Sequence, residues 1–209
     1  MQITGIIPLD KRRNKIYIDE AFAFVLYKGE CSHYGLCEDS RIDEKTYADI
    51  TELLGRRAMN RSLYLLKSRD YTEGWLRSRL GESGYPENVI SAAIDRLKEY
   101  GYVNDYSYAE SFIRNNAANM SRKELEYKLI QRRVPQDILK EVLSEYADEN
   151  GNEESEALLR LYRKKYGETG FLNDSDRQKA MTYFLRKGFS YELIISCFRQ
   201  IEKLNKNEW

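Results

Sequence analysis

A chain of 209 residues with 33% charged and 42% hydrophobic side chains holds enough apolar surface for packed cores, which excludes wholesale disorder. Its mean hydropathy of −0.70 points to thin cores and much exposed helix surface. The 34 basic and 34 acidic side chains cancel, whereas a dedicated nucleic-acid binder shows a basic excess. Locally the balance is uneven: residues 1–54, 55–101, 102–150 and 151–209 carry −3, +3, −2 and +2. No run approaches the length of an apolar membrane span, and Met1 is not followed by a basic-then-apolar secretion signal, so a cytoplasmic location is expected.

The first forty residues are β-prone. Ile3, Ile6 and Ile7 lead to Pro8, a charged turn follows, and then come Ile16-Tyr17-Ile18 and, past Asp19-Glu20, the run Ala21 to Leu26. Short runs of this kind between polar turns predict a small hairpin or meander over 1–42. The Lys11-Arg12-Arg13 tip can touch phosphate or an acidic partner, but such tips more often keep a turn solvated. Cys31, His33 and Cys37 offer three potential zinc ligands where a site wants four, and His33 is the sole histidine, so buried or neutral surface cysteines are expected.

From Asp43 the period turns helical. Tyr47, Ile50, Leu53 and Leu54 form one stripe, with Gly55 a stop or a join to the next helix. An internal repeat then organises the chain. Shifting Thr72, Leu76 and Leu80 by 49 residues gives Ser121, Leu125 and Leu129, and a further 55 gives Asp176, Ala180 and Phe184. Thr, Ser and Asp are helix N-cap residues because their side-chain oxygens accept from the first unpaired amides. Ser121 with Glu124 also fits a capping box. The same shifts carry Val89, Ile90, Ala93, Ile94 and Leu97 onto Ile138, Leu139, Val142, Leu143 and Tyr146, then onto Leu193, Ile194, Cys197, Phe198 and Ile201. All are apolar or aromatic and spaced as one helix face. Pro86 and Pro135 fall just inside the starts of these helices, and Ser190 caps the third. Lead helices are predicted at Arg57–Ser68, Tyr106–Ala117 and Glu154–Tyr166. The fold class is mainly α: three tandem three-helix-bundle repeats in an elongated array after the β extension. The boundaries are 1–42, 43–101 (a linker helix plus repeat 1), 102–150 and 151–209.

The residues supply no phosphate-cradling glycine loop, nucleophile elbow or histidine pair, so no enzyme and no cofactor is expected. Carboxylates sit at spacings that complement Lys and Arg on wet helix faces. Tyr64, Tyr108, Tyr127, Tyr146, Tyr162, Tyr183 and Tyr191 are assigned to thin helical cores, with base stacking as the alternative, above all for Tyr127 and Tyr183. The second helix of each repeat is the most basic. Repeat 1 carries Arg77 and Arg79; repeat 2 carries Arg122, Lys123, Lys128, Arg132 and Arg133; repeat 3 carries Arg177, Lys179, Arg186 and Lys187. A positive stripe of this kind can follow a phosphate backbone or an acidic groove of a protein, or be solvated surface.

The run from Leu97 through Gly101-Tyr102-Val103-Asn104-Asp105-Tyr106 to Tyr108-Ala109-Glu110 resembles the signature of the RecX family. In physical terms it is a helix end, a glycine turn and the cap of the next helix. The module order matches as well, and the resemblance covers residues 57–205 well and the extension more loosely. It implies a monomeric regulator in recombination and DNA repair that binds the RecA recombinase and its DNA-bound filament. It further implies inhibition of filament growth, ATP turnover and strand exchange, with weak DNA binding in some members. Neutral charge departs from what a member acting through DNA contacts would carry. The alternative is a helical DNA-binding protein acting directly on nucleic acid, although no module shows an exposed recognition helix rich in Arg, Asn and Gln.

Overall fold

The computed structural model describes residues 1–149, 152–168, 171 and 173–206, so the expected boundary between 150 and 151 lies outside the described residues. The chain forms two compact units, Met1–Asn104 and Asp105–Trp209.

In the first unit, β1 (Ile3–Pro8), β2 (Arg13–Ile18) and β3 (Ala21–Tyr27) form an antiparallel meander in the order β1-β2-β3. The Asp19-Glu20 turn takes positive φ at both residues, as a tight hairpin requires. The exposed edge of β1 is blunted from residues 38–41: Ile3 N–H donates to the Ser40 carbonyl at 2.9 Å, and Ile6 N–H donates to the Glu38 carboxylate at 3.0 Å. A short helix, α1 (Lys28–His33), follows β3 inside the stretch expected to be β-prone, and buries Cys31.

Gly55 does not stop a helix; it is the join. α2 (Glu44–Leu66) runs unbroken through it, so the linker helix and the lead helix of repeat 1 are one 23-residue element. Its buried residues Ile50, Leu54, Ala58 and Ser62 recur every four positions, and packing along that stripe outweighs the weak helix propensity of one glycine. α3 (Glu73–Glu82) and α4 (Glu87–Glu99) complete the repeat. Ile3, Ile16, Phe24 and Leu26 of the sheet share one core with Ile50, Leu54, Leu76, Leu80, Ile94 and Leu97.

The second unit holds two further three-helix repeats. Repeat 2 is α5 (Asp105–Asn116), α6 (Arg122–Gln131) and α7 (Gln136–Glu149), with a single 3-10 turn at Ala117–Asn119. Repeat 3 is α8 (Glu153–Tyr166), α9 (Asp174–Arg186) and α10 (Tyr191–Lys206). Of the fifteen matched third-helix positions, Ile138, Tyr146 and Leu193 are half-buried and the other twelve are buried. Repeat 3 is cored by aromatics, with Tyr162, Phe184 and Phe198 packed edge to face around it.

The caps follow expectation in two repeats and shift in the third. Thr72 accepts from Trp75 N–H at 3.2 Å and Ser121 from Glu124 N–H at 3.1 Å. In repeat 3 the cap is Asn173, accepting from Asp176 N–H at 2.9 Å, so Asp176 sits in the first turn and α9 starts three residues early. Asp176 still acts favourably there, because a carboxylate complements the helix N-terminal dipole. Ser190 caps α10 as expected, through Leu193 N–H at 3.2 Å. Pro86 stands at the cap position of α4 and Pro135 immediately before α7, each one residue outside the helix it was placed in.

A turn recurs between the second and third helix of every repeat. Gly84 (φ 85°), Arg133 (φ 61°) and Gly188 (φ 88°) are related by the same 49- and 55-residue shifts, and all three are left-handed. In each, the next N–H reaches back to close the helix end: Tyr85 to Leu80 O, Val134 to Leu129 O and Phe189 to Phe184 O, at 3.2–3.3 Å. At Gly84 the turn also receives the sheet, since Val25 N–H donates to its carbonyl at 3.2 Å. A Cβ there would lie 2.9 Å from Val25 Cβ and closer still to Cγ2. Gly84→Ala is therefore expected to destabilise the protein by about 2–4 kcal/mol, from left-handed strain and overpacking together. Gly55→Ala, with nothing within 4 Å of its new Cβ, should instead stabilise by about 0.5–1 kcal/mol. Urea unfolding followed by helical circular dichroism checks both, and equal midpoints would contradict the assignment.

Candidate partner-binding surface

At Gly188 the same turn receives repeat 2. Ser121, fully buried, caps α6 and donates its hydroxyl proton to the Lys187 carbonyl at 2.7 Å. A Cβ on Gly188 would stand 2.8 Å from Ser121 Oγ and 3.1 Å from Lys123 Cβ. This approach lays the start of α6 against the α9–α10 turn and opens a groove lined by Lys123, Tyr127, Lys165, Tyr183, Arg186 and Lys187. Glu124 is the one acidic side chain among the described lining residues. The capping box predicted for Ser121 and Glu124 is half formed: Ser121 accepts from the backbone, while the Glu124 carboxylate faces Lys187 Nζ at 3.5 Å and Lys128 Nζ at 3.8 Å. One carboxylate cannot neutralise two ammonium groups plus Lys123, Lys165 and Arg186, so the groove is positive in a chain of zero net charge.

The tyrosines divide. Tyr162 is a core residue as expected, and Tyr108, Tyr146 and Tyr183 are half-buried. Tyr64, Tyr127 and Tyr191 correct the assignment, being 70%, 61% and 57% exposed. Helical spacing puts a residue on a face without saying whether a neighbour covers that face. Tyr183 lies beneath Lys165, whose Nζ is 3.9 Å from the ring centroid. Lys165 was not among the predicted residues, because it ends a first helix and not a second. The basic end Arg163-Lys164-Lys165 beside Tyr166 was the signal available.

The other predicted cations are placed differently. Arg77 is held inside repeat 1 by Glu73 at 2.8 Å, Glu87 at 2.7 Å and the Ser91 hydroxyl at 3.0 Å. Arg79 pairs with Glu82 at 2.9 Å and sits over the Trp75 ring. Arg132 lies over Phe112 and donates to the Lys128 carbonyl, and Lys179 pairs with Asp176 at 3.3 Å. Arg177 pairs with Glu202 at 3.2 Å. Arg122 is exposed, with its backbone N–H bonded to Glu154 at 2.9 Å. Arg133 is the exposed left-handed residue of the repeat 2 turn. Lys123, Arg186 and Lys187 line the groove, and Lys128 joins them through Glu124.

Among the described residues no group of three or more His, Cys, Asp and Glu side chains is arranged to hold a metal, and no helix is long and apolar enough to cross a membrane. What the fold defines is a protein of three-helix repeats preceded by a small antiparallel sheet. Residues 58–97 match the family model described as the first three-helix domain of RecX, and residues 152–198 match the third. Regulatory protein RecX of Clostridium perfringens (strain 13 / Type A) is 32% identical over 204 residues, covering 94% of this chain and 92% of that protein. Its namesake from Caldanaerobacter subterraneus subsp. tengcongensis is 30% identical, covering 93% and 96%. A crystal structure of regulatory protein RecX superposes with a TM-score of 0.57 at 23% identity, over 97% of this chain and 98% of that one. That of RecX from Lactobacillus salivarius gives 0.60 at 23% identity, over 71% and 97%. The chain belongs to the RecX family of regulatory proteins.

The cysteines differ in burial. Cys31 accepts a long hydrogen bond from Asn14 Nδ2 at 3.8 Å, and burial pushes its thiol up. Burial alone pushes the Cys197 thiol up to about 11. Cys37 is exposed. Since the thiolate is the nucleophile, Cys37 is expected to react with a thiol reagent at pH 8 in the native protein, with Cys31 and Cys197 reacting only on unfolding. Counting labelled thiols by mass spectrometry before and after denaturant checks this, and native labelling of Cys197 at the rate of Cys37 would contradict it.

Proposed function

We propose that this chain binds the RecA recombinase and its DNA-bound filament and inhibits filament growth, ATP turnover and strand exchange, acting as a ligand of the filament and not as an enzyme. Membership of the RecX family supports the partner, and the regulatory role is carried by the names of its relatives. The observation that supports the surface is the groove of Lys123, Lys165, Arg186 and Lys187 with a single lining carboxylate. An acidic stretch of a protein partner is the natural complement, and charge matching contributes to encounter rate and register. Repeats allow several such contacts along one filament, so modest contacts combine by multivalency. Arg122, Lys128 and Arg133 extend the proposed surface, and Arg132 and Lys179 flank it. Arg77 and Arg79 act within repeat 1, where their ion pairs already engage them.

A second reading, direct binding of nucleic acid, is favoured by one observation. Tyr127 is exposed beside lysines, and aromatics interleaved with cations suit single strands. The two readings part on salt and on RecA. Titrating the protein into RecA ATPase on single-stranded DNA is expected to depress turnover, and Lys123→Glu with Arg186→Glu should weaken that inhibition about tenfold or more without loss of helicity. No effect at several-fold excess over filament sites would overturn the first reading. Unaltered inhibition by the double variant would move the contact off the groove. Tight binding to naked DNA with a steep salt slope would favour the second reading.

A further inference from the structure

The Gly84 turn has its own cavity. About 440 Å³ in volume, it opens where β2 and β3 meet the middle of α2 and the α3–α4 turn. Arg13, Tyr27, Arg57, Asn60, Arg61 and Tyr85 line it, and no acidic side chain is among its described lining residues. Two of its arginines have one carboxylate each. Arg13 Nε donates to Asp10 Oδ2 at 2.7 Å, and Arg57 pairs through Nη2 with Glu30 while lying 4.8 Å from the Tyr27 ring centroid. A guanidinium has five N–H donors, so each keeps donors that its carboxylate does not use. Arg61, exposed, contacts the Tyr64 ring at 5.8 Å and makes no ion pair among the described residues. Burial pushes the Tyr85 phenol up, while the charges of Arg57, Arg61 and Arg13 pull the other way.

We propose that this cavity is a binding site for a phosphate group, free or as a monoester, with the N-terminal β extension supplying one half of the site and α2 the other. Three guanidiniums from two elements offer more donors than the two oxygens of a carboxylate accept. A phosphate group brings three acceptor oxygens and a charge of about −1.5 to −2. Guanidinium forks match that geometry, and the Asn60 amide adds a neutral donor. The volume falls within the usual range for small-ligand sites, and Tyr27 and Tyr85 give flat walls for whatever the phosphate is attached to. The phosphate chemistry is common to two sources, inorganic phosphate and a nucleoside monophosphate. All of its lining residues belong to the first unit, and RecA plays no part in its test.

The test uses the full chain labelled with ¹⁵N at low salt, titrated separately with inorganic phosphate, adenosine monophosphate and adenosine. Saturable shifts of the Asn60, Arg61, Gly84 and Tyr85 amides are expected with both phosphates and not with adenosine. Tighter binding of the monophosphate assigns the tyrosine walls to the nucleoside, and equal binding assigns the site to free phosphate; both support the proposal. Arg61→Gln, at an exposed position, should keep the dispersed spectrum and weaken binding about tenfold. The proposal is overturned by an absence of saturable shifts up to tens of millimolar, by shifts confined to residues elsewhere, or by wild-type affinity in Arg61→Gln.

Discussion

How closely a neighbouring element can approach a repeat is limited by the left-handed residue between its second and third helices. The backbone there is turned so that the carbonyls ending one helix are closed by amides of the turn itself, and an L-residue pays for that with a Cβ in the way. Where the residue is glycine, something else sits in the space. Val25 of the sheet does so at Gly84, and Ser121 of repeat 2 does so at Gly188. Where it is Arg133, the position is exposed. A repeat of about fifty residues has a thin core, and closing a neighbour onto it buries surface that the repeat alone leaves wet.

Both cation-lined sites stand beside these glycine joints, and for the same reason. A joint brings together side chains from elements far apart in sequence, and its concave flank holds them around one space. At Gly188 those side chains are Lys123, Lys165, Arg186 and two tyrosines. At Gly84 they are three arginines and two tyrosines. The chain as a whole is neutral, so its fields are local, and exposed carboxylate pairs elsewhere contribute little to stability or long-range attraction.

The repeat was legible because helix burial has a period. Val89, Ile94 and Leu97 and their counterparts had to be apolar to close three similar cores, and caps such as Thr72 and Ser121 had to be oxygen-bearing. The meander was legible from its turns. What could not be read depends on neighbours. Asn173 displaced Asp176 as a cap because both residue types suit the position and only the path of the incoming chain decides. Gly55 passed through a helix because the stripe around it is buried. Tyr64 and Tyr127 lie on faces that no partner within their unit covers, and periodicity has no term for that. Half of the groove was visible as basic second helices, but Lys165 entered it only through the fold, and the Ser121–Lys187 hydrogen bond beside Gly188 spans 66 residues of chain.

On the proposed reading, the joint at Gly188 presents the surface that meets the filament. Lysine-directed crosslinking of the full chain to RecA assembled on single-stranded DNA, read by mass spectrometry, tests it most directly. Crosslinks to acidic regions of RecA should concentrate on Lys123, Lys165 and Lys187 and fade as salt is raised. Crosslinks confined to Lys11, Lys28 and Lys45 in the first unit, with the groove lysines unmodified in their pattern by the filament, would contradict it.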